Sequence, residues 1–140
     1  MAAKDTYHEH VRTALEKDGW TITDDPFTIS LEETSDNLFV DLGAERLIVA
    51  ERATIKIAVE VKSFISPSKL TDLGNALGSF LLYHDIMAEY EPERTLYLAI
   101  RADVFDTLIH RAYWNLLLRN QRLRLLVFDD LTQEIVRWIP

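Results

Sequence analysis

Two charged side chains, Glu60 and Lys62, stand in an otherwise apolar stretch of the chain, TIKIAVEVKSF at positions 54–64. The alternation of apolar and polar residues predicts a β-strand, in which successive side chains point to opposite faces. One face carries only β-branched residues, and the other carries Lys56, Ala58, Glu60 and Lys62. With a rise of ~3.3 Å per residue, Glu60 and Lys62 are neighbours about 7 Å apart along the strand.

A carboxylate beside an ammonium group is suited to phosphodiester cleavage with Mg²⁺. Hard oxygen ligands hold the ion, which polarises the phosphate and lowers the pKa of a bound water. A neighbouring cation orients that water or stabilises the charge that develops in the transition state. The sequence therefore makes Glu60 a candidate Mg²⁺ ligand, with Mn²⁺ able to substitute, and Lys62 a candidate catalytic residue.

A single carboxylate makes a poor Mg²⁺ site, so a second ligand is needed, and Asp41 is the natural candidate. It lies near the end of the strand predicted by LFVDL at 38–42, directly before Gly43, which we expect to break that strand. If this strand pairs with the strand that carries Glu60, the two carboxylates converge on one ion.

The alternative interpretation of Glu60 and Lys62 is a solvated strand face with a weak ion pair, which is the commoner setting for such residues. Short motifs match by chance unless their structural context agrees. Here the context favours a site, because the aspartate comes first on its own strand and a long helix directly follows the Glu-x-Lys strand. That strand is also long enough to be central in the sheet, where charged side chains would be buried. Burial of charged side chains is unfavourable unless they are paired or bind a metal, which also favours a site.

Hydrophobic periodicity predicts the elements that must position these residues. An apolar face at helical spacing predicts a helix over residues 5–18, and Gly19 is placed as its stop because glycine tolerates the left-handed conformation. The DDP run at 24–26 is a turn signal. Further along, the pattern predicts strands at 27–31 and 38–42, a polar turn at 32–37 between them, and one or two strands within 47–64.

The second half of the chain alternates helices with strands. A helix begins after Ser66 or Ser68, either of which can cap it, with Asp72 in its first turns. Its apolar side consists of Leu70, Leu73, Leu77, Phe80, Leu81 and Met87. The remaining elements are a strand at 95–100 covered on both faces, a long helix at 103–120 capped by Asp103, and strands at 123–129 and 134–139. This order predicts a three-layer α/β fold with a central mixed sheet flanked by helices, in a single domain of residues 1–140.

Composition limits the classes of function that the chain can have. Its 140 residues include no cysteine, which excludes disulfides, thiolate zinc sites and cysteine nucleophiles. No apolar stretch approaches a membrane span and the N-terminus lacks a signal-peptide core, so we expect a cytoplasmic protein with no membrane partner. The net charge of −8 lacks the basic footprint of proteins that bind duplex DNA alone. Any contact with DNA is therefore expected to be local, metal-bridged or shared with a partner protein.

The order of Asp41, then Glu60-x-Lys62, then a helix resembles the PD-(D/E)xK nuclease superfamily, with Val40 where a proline is common. A closer resemblance, to the XisH family, covers nearly the whole chain. It is carried by AKDTYHEHVRTALEKDGWTITDDP, DLGAERLIVAER, AVEVKSF, LGNALGSFLLY and EPERTLYLAI, in that order. The family consists of cyanobacterial proteins that are named as excision controlling factors of the fdxN element, a developmentally excised DNA element.

The resemblance implies a restriction-endonuclease-like fold in which Asp41 and Glu60 bind Mg²⁺ and Lys62 assists the attacking water. It also implies a role in programmed DNA rearrangement, with a site-specific recombinase and a small XisI-like companion protein as partners. The alternative is a noncatalytic regulatory protein that kept the fold and binds one of these partners. A third interpretation is a homo-oligomer anchored by Trp114 and Trp138, although core packing is the commoner fate of such residues.

Four further residues are auxiliary candidates. His8 lies beside the apolar stripe of the first helix, either as a buried histidine bonded to the backbone or as a residue that this helix lends to the site. Glu9 turns towards the polar flank of the same helix. In the helix after the Glu-x-Lys strand, the resemblance implies a glutamine and a tyrosine that face the site. This chain has Ser79 and Tyr83 there, and Ser79 cannot donate two hydrogen bonds as glutamine does.

Overall fold

A six-stranded mixed β-sheet organises the protein, whose computed structural model describes residues 6–31, 37–48 and 53–140. The helices are α1 (His8–Lys17), α2 (Lys69–Tyr90), α3 (Ala102–Leu108) and α4 (Ala112–Arg119). The strands are β1 (Thr21–Asp24), β2 (Phe27–Ser30), β3 (Asn37–Val40), β4 (Leu42–Ile48), β5 (Ala53–Val61), β6 (Arg94–Arg101), β7 (Leu125–Asp129) and β8 (Glu134–Ile139).

The sheet has the strand order β1-β4-β5-β6-β7-β8, and its centre is parallel. Strands β5, β6 and β7 run parallel, while β4 and β8 flank them in the antiparallel sense. The carboxyl ends of β5, β6 and β7 therefore meet at one edge of the sheet. Strands β2 and β3 form a separate antiparallel pair. Of the turn predicted at 32–37, residues 32–36 lie outside the described residues, as does the 49–52 connection.

Helix α1 covers one face of the sheet. Its buried residues Val11, Ala14 and Leu15 share a core cluster with Val59 and Val61 of β5 and with residues of β4, β6 and β7. Of the β-branched face predicted for β5, Ile57, Val59 and Val61 lie in this core cluster, whereas Ile55 is 41% exposed. Gly19 ends this helix region with a φ of 93°, as its sequence position predicts.

The opposite face of the sheet packs against α2, α3, α4 and the β2–β3 pair. Ala58 of β5 and Leu98 of β6 lie in this second core cluster, together with Trp114 of α4. Helices on both faces of a central mixed sheet make three layers, which confirms the predicted α/β class. Among the residues that the structure describes, no helix combines the length and apolarity needed to cross a membrane.

The predicted break at Gly43 was wrong, because Gly43 lies inside β4 and the chain bends two residues earlier, at Asp41. A side chain at Gly43 would collide with its neighbours. Its Cβ would lie 2.9 Å from the Asp24 Oδ2 atom and 3.2 Å from the Arg94 Nη1 atom. Glycine is therefore favoured here by the close approach of β1 and β6 side chains, and the bend at Asp41 transfers the chain from the β2–β3 pair into the sheet.

The single helix predicted over 103–120 is two helices, α3 and α4, and Asp103 is not its cap. Arg101 occupies the N-cap position of α3, and Asp103 lies exposed in its first turn. Both Leu108 and Trp114 are buried. At roughly 100° per residue, a continuous helix would point Trp114 about 120° away from Leu108 around the helix axis. The break between the helices lets both side chains enter the core.

Helix α2 begins where the sequence predicted, but the residues on its buried side differ from the predicted apolar set. The Ser68 hydroxyl accepts a hydrogen bond from the Thr71 backbone N–H at 3.1 Å, so Ser68 is the cap. Leu70 and Leu81 were predicted on the apolar side but are exposed. The buried positions of this helix are Leu73, Ala76, Phe80 and Met87.

Truncating Leu98 should destabilise the fold strongly. Its side chain is buried in β6, and the substitution Leu98→Ala should lower the free energy of unfolding by about 2–5 kcal/mol through lost burial and a residual cavity. The matched control is Leu131→Ala, because Leu131 is 89% exposed and its loss should change that energy by less than about 0.5 kcal/mol. Urea unfolding measures both variants, and equal effects would contradict the described core.

Candidate functional site

Glu60 is a buried carboxylate at the carboxyl end of β5. It lies beside Leu98 of β6 in the strand register, and only 7% of its surface is exposed. The alternative of a solvated strand face is therefore wrong for Glu60. The β5–β6 pairing continues beyond this residue, because the Lys62 backbone N–H donates to the Ala99 carbonyl at 3.1 Å. Glu60 and Lys62 are thus held by the parallel centre of the sheet.

Strand pairing brings Asp41 to Glu60. Leu42 of β4 pairs with Val59 of β5, and one further step along this antiparallel register sets Asp41 opposite Glu60. The Asp41 backbone N–H donates to the Glu60 Oε1 atom at 3.4 Å, and the Val61 N–H donates to the Asp41 Oδ2 atom at 2.7 Å. The convergence expected from the sequence is present.

Lys62 connects this acidic pair to the surface. Its Nζ atom lies 3.4 Å from the Glu60 Oε2 atom, and its side chain is 33% exposed, against 9% for that of Glu60. Lys62 also lines an open cavity of about 500 Å³, formed by the segment 62–66 with Asp72 and Asn75 of α2. Lys62 is thus the member of this group that lines the cavity.

The electrostatics of the pair favour a bound proton or a bound cation. Burial, and then the charge of Asp41, raise the pKa of Glu60 to about 8, although Lys62 lowers it in part. Two carboxylates in a poorly solvated place repel one another when both are ionised. Their oxygen atoms are the hard donors that Mg²⁺ prefers, so the residues fit a divalent ion held by Asp41 and Glu60.

Helix α2 presents Tyr83 to the same two carboxylates. Burial, followed by the charges of Glu60 and Asp41, raises the pKa of the Tyr83 phenol. Its hydroxyl therefore lies in the electrostatic field of the pair. Ser79 stands one turn earlier on this helix and is half-buried. Among the described residues, Ser79 makes no hydrogen bond to either carboxylate.

Helix α1 contributes His8 from the other side of the sheet. His8 is buried, but its predicted bond to the backbone was wrong, because its Nε2 atom lies 2.7 Å from the Asp25 Oδ1 atom. The His8 Nδ1 atom lies 3.9 Å from the Asp41 Oδ1 atom. Glu9 is exposed on the polar flank, as predicted, and can bring a carboxylate oxygen within 4.8 Å of ligand atoms of His8 and Asp25.

Sequence reasoning missed two groups near the site. Asp25 was interpreted only as part of a turn, yet it accepts a hydrogen bond from the Arg12 Nη1 atom at 2.6 Å as well as contacting His8. Arg101, at the carboxyl end of β6, donates from Nη1 to the Tyr7 hydroxyl at 2.7 Å. An arginine directly after the apolar run of β6 was a usable signal for the second group. No local pattern signalled the pairing of Asp25 with His8.

Comparison with known proteins identifies the family. The family model XisH, described as XisH protein, matches residues 1–136. The chain belongs to the XisH family. A crystal structure of an XisH family protein from Nostoc punctiforme PCC 73102 is 37% identical, with a TM-score of 0.84 over 97% of this chain and 100% of the other. A second crystal structure, of a fdxN element excision controlling factor protein from Anabaena variabilis, is 38% identical to this chain. Its TM-score is 0.84, and the match covers 98% of this chain and 100% of the other.

No curated protein matches this XisH family member. The two crystal structures agree with it along nearly the whole chain, so the sheet order and the helical layers are those of the family. The bend at Asp41 and the end of β5 lie within the residues that the XisH family model matches. The resemblance to the XisH family that the sequence motifs indicated is therefore confirmed.

The stability of this XisH protein should fall as pH rises between about 5 and 8 when divalent ions are chelated. In this window the folded state keeps the Glu60 proton, because the pKa of Glu60 rises from 4.5 to about 8 on folding, while the unfolded chain has released it. A state that binds more protons loses relative stability as pH rises. Urea unfolding between pH 4.5 and 9 measures this slope.

Glu60→Gln should flatten that slope, and it should stabilise the protein more at pH 8.5 than at pH 5. The control is Glu89→Gln, which removes an exposed carboxylate on α2 and should leave the slope unchanged. An identical slope in wild type and Glu60→Gln would contradict the buried, protonated state of Glu60.

Proposed function

We propose that the protein is an accessory controlling factor in the programmed excision of a DNA element, with a Mg²⁺-dependent endonuclease site on a restriction-endonuclease-like fold. The observation that carries this proposal is the buried Glu60 carboxylate beside Asp41, with the Lys62 ammonium 3.4 Å from the Glu60 Oε2 atom. The excision role is supported by the name of the Anabaena variabilis relative, fdxN element excision controlling factor protein, at 38% identity.

In this proposal Asp41 and Glu60 hold Mg²⁺, or Mn²⁺ in its place. When bound, the ion would polarise the scissile phosphate and lower the pKa of its bound water. Lys62 lies next to Glu60 and lines the open cavity, so it orients the water or stabilises charge on the phosphate. The burial of Glu60 excludes bulk water and strengthens each of these interactions.

The Val61 backbone N–H holds the Asp41 carboxylate in place. This hydrogen bond, at 2.7 Å, fixes the Oδ2 atom of Asp41 against the end of β5. Tyr83 adds a hydroxyl group that stays protonated, because burial and the two carboxylates raise its pKa. A neutral phenol can donate a hydrogen bond to a phosphate oxygen, so Tyr83 is a positioning residue in the proposal.

The charge of the protein shapes how DNA would reach the site. A net charge of −8 opposes tight binding of free duplex by this chain alone. We therefore propose that DNA is delivered by a protein partner, either a site-specific recombinase or an XisI-like companion protein. Such an activity belongs in the cytoplasm of a cyanobacterial cell, where the DNA element is located.

Lys62→Ala should remove metal-dependent nicking or cleavage of DNA. We expect a loss of about 10²–10³-fold in rate, the range for removal of one group that stabilises transition-state charge. Lys17→Ala is the matched control, because it removes the same charge from a residue whose Nζ atom donates to the Thr132 carbonyl at the surface. Plasmid nicking with Mg²⁺ and Mn²⁺, with and without the companion protein, measures the rates.

Two results of this assay would contradict the catalytic proposal. The first is equal activity in wild type and Lys62→Ala, which would show that the cleavage comes from a contaminant or another site. The second is no activity in either protein across supercoiled, linear and branched DNA with both metals. Asp41→Asn, assayed in parallel, should lose nicking activity, and calorimetry should show that it also loses Mg²⁺ binding.

A noncatalytic regulatory role is the second candidate function. The net charge of −8 and Ser79, in place of a glutamine that can donate two hydrogen bonds, favour it. In this role the protein binds the XisI-like companion or the recombinase, and Glu60 stays protonated because its pKa is raised to about 8. Co-purification of wild type and Asp41→Asn with the companion to equal extents, without Mg²⁺ binding by wild type, would favour this role over the nuclease.

A further inference from the structure

The outer face of helix α2 carries apolar side chains that the described part of the chain leaves exposed. Leu70 is 59% exposed and Leu82 is 58% exposed, although both belong to a helix whose opposite side is buried in the core. Leu81, directly before Leu82, is 43% exposed. Apolar side chains that gather on one exposed face are typical of an interaction surface.

Two glycines lie between these leucines along the helix. Leu70, Gly74, Gly78 and Leu82 follow one another at intervals of four residues, so they form one row on the helix surface. Among the described residues, no atom would lie within 4 Å of a Cβ added at Gly74 or Gly78. Glycine inside a helix is less favourable than alanine, and packing within this chain does not require it here. The row is therefore a shallow notch with a leucine at each end.

The order of residues in this row is the same in both directions, so the row is complementary to itself. When two copies of α2 pack antiparallel about a two-fold axis between the glycines, Gly74 of each copy faces Gly78 of the other. Leu70 of each copy then faces Leu82 of the other. Rows at intervals of four pack together in the commonest class of helix pair, with axes at about −50°. The glycines let the two backbones approach closely, and a contact of this isologous kind closes as a dimer.

The charges of α2 favour the antiparallel arrangement. Asp85 and Glu89 lie towards its C-terminal end, and the last turn contains no basic residue, so this end is negative through its side chains and its dipole. At the other end Lys69 offsets Asp72, which leaves the positive end of the dipole. A parallel pair would place two negative ends together, whereas an antiparallel pair places each beside a positive end. A second copy of the chain thus matches the face in shape and in charge.

We infer that the protein forms a homodimer through the outer face of α2, with Leu70 and Leu82 of one copy packed against Leu82 and Leu70 of the other. This face points away from the candidate site, because Tyr83 lies about 140° around the helix from Gly78. The inference therefore goes beyond the proposed function and holds for either candidate function. A contact made by one pair of helices is small, so we expect a weak dimer with a Kd of about 10–100 µM.

Sedimentation velocity of the full chain, from about 1 to 500 µM, tests for this equilibrium. Gly78→Gln fills the notch and Leu82→Gln removes an apolar anchor, so each should raise the dimer Kd at least about 10-fold. Neither should lower the thermal stability of the monomer, because the space above Gly78 is open and Leu82 is exposed. The matched control is Leu131→Gln, at an 89% exposed leucine outside α2, and it should leave the Kd unchanged.

Disulfide trapping tests the antiparallel register, since the natural chain has no cysteine. Oxidising a mixture of the Leu70→Cys and Leu82→Cys proteins should give a cross-linked dimer, because the inferred contact brings these two positions within disulfide reach. Each variant oxidised alone should remain uncross-linked. Its two identical positions lie at opposite ends of the contact, about 18 Å apart along the helix.

Three results would overturn the inference. The first is a wild type that stays monomeric over the whole concentration range. The second is a dimer whose Kd is unchanged by both Gly78→Gln and Leu82→Gln, which would place the contact on another surface. The third is a Leu70→Cys or Leu82→Cys protein that cross-links with itself as efficiently as the mixture does. These measurements use neither nuclease activity nor metal binding, so their failure is distinct from failure of the proposed function.

Discussion

A carboxylate buried at the carboxyl end of a central strand is the constraint that the site depends on. Glu60 has apolar neighbours and a second carboxylate, Asp41, and these raise its pKa to about 8. Burying the ionised Glu60 carboxylate next to Asp41 destabilises the folded state unless a proton or a cation compensates its charge. The surrounding structure maintains it, because Asp41 is bonded to the Val61 backbone and Lys62 lies beside Glu60.

The site collects side chains from both helical layers because it lies at the edge where the sheet ends. Glu60 and Lys62 lie on the face that packs against α2, which also carries Tyr83. His8 comes from α1 on the other face. Asp41 reaches both groups because its chain leaves the β2–β3 pair and enters the sheet at this residue. A bend at this one position thus connects two layers that the sheet otherwise separates.

Most of the fold follows from periodicity, and the differences have definite causes. The alternation in β5 predicted that Ile57, Val59 and Val61 lie under α1, although Ile55 is exposed. Gly19 was correctly predicted as a helix end, and Ser68 is one of the two serines predicted as a cap. The helix over 103–120 was wrong because local pattern cannot show that Trp114 and Leu108 must both reach the same core. Gly43 was read as a chain break, whereas the close approach of Asp24 and Arg94 favours a glycine there.

The sequence by itself determined which functional groups are available for a site, namely two carboxylates and a lysine. It also determined the spacing by which strand geometry makes Glu60 and Lys62 neighbours. It also carried the motifs of the XisH family. Tertiary structure decided that Glu60 is buried, that Asp41 faces it, and that His8 joins from α1 through Asp25. The reason is physical, since burial and charge coupling depend on residues distant in sequence. Strand periodicity acts only between residues a few positions apart.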